Sequence, residues 1–584
     1  MNDFEGLEDW IKKRYYAIRE KFKKSSFTFN DISNFLFNLY QDSKEQTKLI
    51  LSELKKAGLL KITKNPEDKR ESIYEIVDIL ETPTLFGKIE EKLTKEQLTN
   101  ILKTAADIIR TRVDYTFILL LLFYKALSDK WKNEYEVVKE ELMKKGLKEN
   151  EVIKEAGQPY YHTFNFRQDL LWDGLRKEPI KLPENLSKNL KELSELNPDY
   201  KDIFIQFDFH QFTSNPENQI ILNNLFELFS RYSFENVEED ILGDAYEWIL
   251  KYFAPTKAKE GEVYTPREVI RLMVEILDPE PEKWIYDPAC GSAGMLIVTY
   301  QYVKEKYGKE KAEKLFLFGQ EYNPKTLALA KMNAILHRIK NINLIGGDTL
   351  LFPKFKEKDS IKKFDYVIAN PPWNQDGYDE DTLKKGEYYN ERFPFGSPTK
   401  QSADWAWIQH MIFSGNKNGK IAIVIDTGAV SRGGREKEIR KKVVENDLIE
   451  AVILLPEKLF YNTGAPAVII VINRNKPEGK KGKVLLINAS KEFIPGKAQN
   501  ILGKENIEKI VNVYRSFKEV EKFSKIINKK DIEDADYNLS PSRFISVFDE
   551  ENYRPIEEIK EELKKLEEEK RSVEEKIWQI LSKF

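Results

Sequence analysis

The stretch Phe364-Asp365-Tyr366-Val367-Ile368-Ala369-Asn370-Pro371-Pro372-Trp373 decides how the chain is interpreted. Its first six residues form an apolar run that predicts a buried strand. The two prolines that follow stiffen the turn at the end of this strand. The Asn370 amide oxygen and the Pro371 carbonyl can accept hydrogen bonds from one amino group, and Trp373 offers a flat face to a base. Two such acceptors would aim the lone pair of an amine at an electrophilic methyl group, although an ordinary tight turn is the alternative.

A small-residue loop upstream predicts a nucleotide-binding cradle. The predicted strand 284–286 leads into Asp287-Pro288-Ala289-Cys290-Gly291-Ser292-Ala293-Gly294, and a helix is predicted from Met295. A strand, a loop of small residues and a helix N-terminus form the phosphate or nucleotide site of many α/β proteins. Gly291 and Gly294 allow the backbone to approach a ligand closely. A Gly-x-x-Gly loop alone is a weak signal.

Two acidic residues follow the next two predicted strands. The strand 315–320 is followed by Glu321, which is placed to bind ribose hydroxyls, and the strand 343–347 is followed by Asp348, which is placed to accept from an adenine amino group. The order along the chain is glycine loop, ribose acid, adenine acid and tetrapeptide. Each falls at the carboxyl end of a strand, where open α/β sheets bind their ligands.

The segment Gly261-Glu262-Val263-Tyr264-Thr265-Pro266-Arg267 precedes these motifs. Thr265 is predicted as the N-cap of a helix over 267–277, with Pro266 at its first position. Ordinary capping is one interpretation of this segment. The other is that its turn closes over one end of a bound cofactor.

Composition limits the classes of protein to consider. The chain has 584 residues, of which 41% are hydrophobic and 33% charged, and a net charge of −3. These values predict a soluble cytoplasmic protein of several domains, without a global basic field for nucleic acid. The single cysteine, Cys290, excludes an intrachain disulfide framework, and the four histidines lack metal-ligand spacing, so no metal site is expected. The longest apolar run, 117–123, is too short to cross a membrane, and no signal peptide is expected.

Four domains are predicted from the pattern of elements. Residues 1–82 form a winged-helix-like domain, for which DNA contact and protein docking are equally open. Residues 86–250 form a helical domain, and residues 251–500 a doubly wound α/β domain. Residues 374–403 are expected to form a lip over the site, with a disordered insertion as the alternative. Arg432, Arg435, Arg440, Lys441 and Lys442 form a basic group that could meet phosphates or simply face solvent.

Residues 501–584 are predicted as a helical, coiled-coil tail. Apolar residues recur there every three or four positions, with Lys570 as the one interruption. They are Ile556, Ile559, Leu563, Leu566, Val573, Ile577, Ile580 and Phe584. Pro555 is expected in the first helical turn. Such a seam must pack against its own domain or against a partner helix, and a partner coil is the preferred interpretation.

Several motifs together resemble one family. Residues 287–294 with Asn370-Pro371-Pro372-Trp373 resemble the γ-type amino-methyltransferases of DNA. Glu262-Val263-Tyr264-Thr265-Pro266-Arg267, Ala403-Asp404-Trp405-Ala406-Trp407-Ile408-Gln409-His410 and Asn462-Thr463-Gly464-Ala465-Pro466 are similar to modification subunits of type I restriction–modification systems. The resemblance runs from about residue 90 to the C-terminus. Residues 1–82 fall outside it, and Asp426-Thr427-Gly428-Ala429-Val430 replaces the family's Pro-Asp-Gly turn.

The resemblance implies a Rossmann-like class I methyltransferase fold and an activity. It implies S-adenosylmethionine contacts from Glu262 to Arg267, from Ser292, Ala293 and Gly294, and from Glu321. It implies that Asn370, Pro371, Pro372 and Trp373 methylate adenine N6 in double-stranded DNA. The implied partners are a specificity subunit, to which the helix 555–584 is assigned, a second copy of the chain and a restriction subunit.

Three other functions are weighed against this one. A glutamine methyltransferase acting on protein also uses an Asn-Pro-Pro-aromatic segment, but with Tyr where this chain has Trp373. A non-catalytic assembly subunit would keep the fold, but here the two acids and the tetrapeptide are intact. A self-contained restriction enzyme would need a Gly-x-x-x-x-Gly-Lys-Ser/Thr motor loop, which the sequence lacks.

Overall fold

The computed structural model describes residues 8–22, 26–40, 42–64, 72–76, 93–109, 112–176, 181–235, 237, 239–258, 264–461, 463–497, 499–547 and 556–582. The chain divides into two compact units, Met1–Glu91 and Lys92–Phe584.

The N-terminal unit has a small core between helices and a three-stranded antiparallel sheet. Its elements are α1 (Asp9–Phe22), β1 (Phe27–Thr28), α2 (Phe29–Tyr40), α3 (Lys44–Lys56), β2 (Leu60–Lys64) and β3 (Ser72–Ile76). The strand order is β1-β3-β2. Ile18, Leu36 and Leu54 are fully buried at the centre. The order helix, helix, hairpin is the one that the sequence predicts for this domain, although the turn expected at 65–68 lies outside the described residues.

A helical region opens the second unit. Its helices are α4 (Lys95–Ile109), α5 (Thr116–Lys144), α6 (Glu149–Ala156), α7 (Trp172–Leu175), α8 (Leu182–Leu196), α9 (Lys201–Phe204), α10 (His210–Thr213), α11 (Pro216–Ser230) and α12 (Glu239–Ala258). The first half of α5 is buried on every side, because the other helices pack around its apolar run. A helix that is apolar all round belongs at the centre of a bundle. None of the helices in the described ranges is long and apolar enough to cross a membrane.

Strands then alternate with helices, as the sequence predicts. The strands are β4 (Trp284–Asp287), β5 (Phe316–Glu321), β6 (Ile342–Gly346), β7 (Lys356–Glu357), β8 (Ser360–Ile361), β9 (Phe364–Ala369), β10 (Gly415–Asp426), β11 (Ile449–Leu454), β12 (Ala467–Asn473), β13 (Lys483–Asn488) and β14 (Ser524–Asn528). The helices are α13 (Arg267–Leu277), α14 (Gly294–Tyr307), α15 (Lys309–Ala312), α16 (Pro324–Leu336), α17 (Glu380–Leu383), α18 (Tyr389–Arg392), α19 (Asp404–Ser414), α20 (Gly434–Glu445), α21 (Lys504–Ser516), α22 (Lys529–Asp534), α23 (Pro541–Phe544) and α24 (Ile556–Leu581).

Nine of these strands form one mixed sheet in the order β14-β13-β11-β12-β10-β9-β4-β5-β6. The strands from β10 to β6 are parallel to one another, whereas β12 and β14 run antiparallel to their neighbours. Helices cover both faces. In β9, Tyr366 and Ile368 belong to one apolar core and Val367 and Ala369 to the other, as strand alternation requires. The doubly wound α/β fold is confirmed.

Helix α16 joins the helical region to the sheet. Leu327, Ala330 and Ala334 on one side belong to the core under the sheet. Met332 and Leu336 on the other side belong to the core of the helical bundle. The two regions therefore share a helix.

In this unit the structure corrects one predicted boundary and rules out one of two interpretations of a segment. The sheet extends past the boundary predicted at residue 500, because β14 pairs with β13 from Lys483↔Asn528 to Ile487↔Ser524. The segment 374–403 is folded and not a disordered insertion. It contains α17 and α18, and its fully buried Arg392 donates to the carbonyls of Thr349 (3.0 Å) and Leu350 (2.6 Å).

Helix α24 presents the predicted seam to solvent. Ile556, Ile559, Leu563, Leu566, Val573 and Ile577 are 44–67% exposed. Pro555 and Phe584 lie outside the described residues, and nothing is described of the Ile580 side chain. The seam was expected to pack against its own domain or against a partner helix. Because these six side chains are exposed, they do not pack against their own domain.

Candidate active site

Four strand ends converge at one edge of the sheet. The loop after β4, Glu321 at the end of β5, Asp348 after β6 and Asn370 after β9 follow adjacent parallel strands. The chain order reverses between β4 and β9, because β5 lies on one side of β4 and β9 on the other. Such a reversal opens a crevice at the carboxyl ends of the strands.

A cavity lies in this crevice. Its lining includes Tyr264, Thr265 and Arg267 from the segment before α13, residues 289–292 of the loop after β4, Gly294 and Asn370. Two motifs that are about a hundred residues apart in the sequence therefore meet in one pocket. Glu262 and Val263 lie outside the described residues.

The loop after β4 leaves room for a ligand against its backbone. Gly291 has a φ of +52°, and a Cβ added there would meet no atom within 4 Å, so open space faces this backbone. Ala293 is also left-handed and stands at the N-terminus of α14. The Glu321 carboxylate holds the loop, because it accepts from Gly291 N at 2.9 Å and from Asn323 N at 2.8 Å. An open glycine cradle at a helix N-terminus fits a nucleoside cofactor such as S-adenosylmethionine.

The Asn370 amide connects the tetrapeptide to the segment before α13. Asn370 Nδ2 donates to Thr265 Oγ1 at 2.8 Å, and Asn370 Oδ1 accepts from Trp373 Nε1 at 2.8 Å. Trp373 is half-buried. Its ring lies edge-on to the ring of Phe460, with 4.8 Å between the two ring centroids. The predicted capping role of Thr265 is wrong. Helix α13 begins at Arg267 with Pro266 at the N-cap position, and no side chain caps it.

The turn after the tetrapeptide is stabilised by a cluster of charged residues, Asp404, Asp426 and Arg432. Asn374 is left-handed (φ +52°), and its N–H donates to Asp404 Oδ1 at 2.9 Å. Arg432 donates to Asn374 Oδ1 at 2.6 Å and also forms ion pairs with Asp404 and Asp426. A Cβ at Gly428 would lie 2.3 Å from Arg432 Nη1. The segment 426–430, which replaces the family's Pro-Asp-Gly turn, thus leaves room for the Arg432 side chain.

The five residues of the predicted basic group do not share one environment in the structure. Arg432 is committed to the carboxylates of that cluster. Arg440 is 1% exposed and donates to the carbonyls of Tyr537, Ala429 and Arg432. A shared phosphate site of all five residues is therefore wrong, because two of the cations point into the fold.

Asp348 is joined to the segment 374–403. Its Oδ2 accepts from the Tyr378 hydroxyl at 2.8 Å, and its Oδ1 accepts from Leu351 N at 3.1 Å. Burial raises the pKa of the Tyr378 phenol, and the adjacent Asp348 carboxylate raises it further. Tyr378 therefore remains a hydrogen-bond donor to this carboxylate, and it links the predicted adenine acid to the lip.

Two titratable groups of the loop after β4 are almost completely enclosed. Burial raises the pKa of Asp287 to about 8; the Ala289 N–H, 3.0 Å from Oδ1, opposes this shift and Glu321 adds to it. Burial also raises the pKa of the Cys290 thiol. A Cβ at Gly319 would lie 2.8 Å from Cys290 Sγ, so the thiol fills the space that this glycine leaves. Cys290 is a packing residue here.

Comparisons with known proteins place the chain in a family. Residues 237–553 match the family N-6 DNA Methylase, and residues 98–229 match the HsdM N-terminal domain. The MjaVIII methylase subunit of a type I restriction enzyme from Methanocaldococcus jannaschii is 43% identical, over 96% of this chain and 95% of that protein. The chain is a type I restriction enzyme methylase subunit.

Further relatives agree with this assignment. The MjaVII methylase subunit of the same organism is 40% identical over 98% of this chain and 97% of its own length. The solved type I restriction–modification methyltransferase subunit from Streptococcus thermophilus superposes with a TM-score of 0.67 at 28% identity, covering 78% of this chain and all of that one. The methylase subunit is accordingly an adenine-specific DNA methyltransferase that uses S-adenosylmethionine.

Sequence reasoning did not find several residues of the site. Asp404 lies in a motif quoted for the resemblance, but its bond to the Asn374 backbone has no local signal. The sequence places Arg432 in a basic group, and it marks Gly428 only as part of the segment that replaces the family's Pro-Asp-Gly turn. Glu247, which also lines the cavity, lies on α12, and none of the sequence motifs includes it.

Proposed function

We propose that Asn370, Pro371, Pro372 and Trp373 methylate the N6 amino group of an adenine rotated out of duplex DNA. The observation that carries this proposal is the 2.8 Å hydrogen bond from Asn370 to Thr265, in a cavity also lined by Gly291. It brings the amine-orienting side chain next to the segment assigned to the cofactor. The base must leave the helix because its N6 cannot be reached within the stack.

The chemistry depends on acceptors with fixed orientations. Thr265 holds the amide nitrogen of Asn370, so Oδ1 points away from it and has a second lone pair beside the bond from Trp373. Oδ1 and the Pro371 carbonyl bind the two N6 hydrogens, and the nitrogen lone pair then faces outward. S-adenosylmethionine, when bound, supplies a methyl group on a positively charged sulfur. Catalysis is by positioning and electrostatics, without a covalent enzyme intermediate.

The cofactor residues are proposed from the same geometry. Gly291, Ser292, Ala293 and Gly294 form the cradle beside Asp287, and Tyr264, Thr265 and Arg267 line the same cavity. Glu262, Val263 and Pro266 are assigned to the cofactor with them, on the resemblance of the segment to the family motif. Glu321, which already orders the loop through Gly291 N, is assigned to the ribose. Asp348 is assigned to the adenine amino group, to which it offers the remaining lone pairs of its carboxylate.

The partners follow from the family and from the exposed seam. We assign α24 to a coiled-coil contact with a specificity subunit that selects the DNA site, in a complex with a second methylase subunit and a restriction subunit. The 26-residue length of α24 and its exposed apolar positions support a helical partner. The complex acts on double-stranded DNA in the cytoplasm.

Replacing Asn370 with Ala tests the catalytic assignment. We expect the complex with its specificity subunit to lose at least about 100-fold in methyl transfer, because one of two acceptors for N6 is removed. Transfer is measured with tritiated cofactor, and cofactor affinity is measured by calorimetry. Asn416→Ala, which removes a side chain bonded to Asp365 at the opposite end of β9, is the control. Methyl transfer at the wild-type rate in Asn370→Ala would refute the assignment.

A further inference from the structure

Glu247 brings a carboxylate from the helical region into the cofactor cavity. It lies on α12, is 8% exposed, and lines the cavity together with Thr265, Gly291 and Asn370. Its Oε1 accepts from Asn333 Nδ2 at 2.5 Å, and the same nitrogen donates to the Ser292 carbonyl at 3.0 Å. The carboxylate is thus fixed beside the cofactor loop from a different part of the fold.

The second oxygen of this carboxylate has room for another donor. Oε2 is 3.4 Å from the Tyr264 hydroxyl, which is a long hydrogen bond. Burial raises the pKa of Glu247, and the bond from Asn333 and the charge of Arg267 oppose this shift. A buried carboxylate without an ion-pair partner among the described residues is costly, so a cationic ligand would be favoured here.

The other charged residues of the cavity lining have different partners. Arg267 donates to Gln301 and pairs with Asp244 at 3.5 Å, and it leaves donors for an anionic group. Asp287 is 1% exposed and accepts from Ala289 N. Glu247 is the more exposed of the two carboxylates in the described lining, at 8% against 1%, and its long hydrogen bond from Tyr264 can give way to a shorter one. Together with Arg267 it presents opposite charges to one ligand. An amino-acid zwitterion has that pattern of charge.

We propose that Glu247 binds the ammonium group at the methionine end of S-adenosylmethionine. The helical region then contributes directly to the cofactor site, and Asn333 positions Glu247 and the cofactor loop together. This inference rests on the proposed function, because it concerns the same cofactor.

The test is a binding cycle between one side chain and one ligand group. Glu247→Gln keeps the shape of the side chain and removes its charge. We measure by calorimetry the affinity of the wild type and of this variant for S-adenosylhomocysteine, for its analogue without the amino group, and for methylthioadenosine, which lacks the whole amino-acid end. Glu305→Gln, an exposed charge change on α14, is the matched control.

We expect Glu247→Gln to weaken S-adenosylhomocysteine about 10- to 100-fold and to leave the other two ligands within about twofold. The wild type should bind the analogue without the amino group more weakly than S-adenosylhomocysteine, by the same factor. Equal weakening of all three ligands would overturn the proposal in favour of a purely structural role. If Glu247→Gln does not fold, the test is the affinity of the wild type for S-adenosylhomocysteine and for its analogue without the amino group. Equal wild-type affinity for these two ligands also overturns the proposal. A wild type that binds no adenosyl ligand would instead refute the proposed function.

Discussion

Both ends of the Asn370 amide are engaged within the chain. The nitrogen is held by Thr265 and the oxygen by Trp373, each at 2.8 Å. An amide that could rotate would present a donor to the target amine half of the time, and a donor cannot bind an N–H group. In the proposed mechanism, the two internal hydrogen bonds therefore fix the acceptor toward the substrate, which is the kind of preorganisation that positions reacting groups.

Asp287 should make the stability of the subunit depend on pH. Burial raises the pKa of this carboxyl to about 8, whereas an Asp in an unfolded chain titrates near 3.9. Between about pH 4 and pH 8 the folded state keeps a proton that the unfolded state has lost. The free energy of unfolding therefore falls as pH rises through this window. Asp287→Asn cannot ionise, and its amide oxygen can still accept from Ala289 N. We expect the melting temperature of the wild type to fall more steeply from pH 5 to pH 8 than that of the variant.

Melting followed by circular dichroism at four pH values checks this expectation. Some slope remains in the variant, because burial also raises the pKa of Glu247 and of Asp404. Parallel melting curves for the two proteins across the range would show that Asp287 is ionised in the folded state well below pH 8.

At the scale of elements, α12 lies against the imidazole ring of His337, the residue that follows α16, with Gly243 at the contact. A Cβ at Gly243 would lie 2.3 Å from Cε1 of the buried His337. Gly243→Ala should force the ring or the helix to move, at a cost of about 1–3 kcal/mol. Because Glu247 is one turn further along α12, we also expect weaker binding of S-adenosylmethionine. Urea unfolding and calorimetry measure the two effects.

Gly157→Ala is the control for this change. The added methyl group there would meet only backbone oxygens at 3.7 and 3.8 Å, which are ordinary contacts, and the backbone is not left-handed. If both alanine variants unfold at the same urea concentration, the close approach at Gly243 relaxes at no cost.

The elements that the sequence predicts well are those with local signals. The run Phe364–Ala369 and the prolines after it are read from neighbouring residues, and β9 ends where expected. Glu247 and Asn333 are 86 residues apart, and Arg432 and Asn374 are 58 apart, so no local pattern indicates either contact. Helix α13 covers the predicted residues, but its N-cap was predicted one residue early, because Thr265 is bonded to Asn370 and does not cap the helix. Long-range pairing thus explains most of what was missed.

At the scale of the molecule, the proposed partner contact of α24 depends on its exposed apolar seam. Its seam is exposed, and charged residues flank it on both sides, as in two-stranded coils. Lys570 lies at a core position and would fix the register of pairing at some cost in stability. A helix of this kind gains most of its stability from packing and not from propensity.

Replacing Leu563 and Leu566 with Glu separates assembly from catalysis. Both side chains are more than half exposed. We therefore expect an unchanged melting temperature of the methyltransferase and an unchanged affinity for S-adenosylmethionine. Two charges in a coiled-coil seam should, however, abolish co-purification with the specificity subunit, and with it site-specific methylation of DNA. Lys565→Glu with Ser572→Glu adds negative charge on α24 outside the seam and should leave the complex intact. A stable complex with the seam variant would place the specificity subunit on another surface, while an equal loss in both variants would point to net charge and not to the apolar seam.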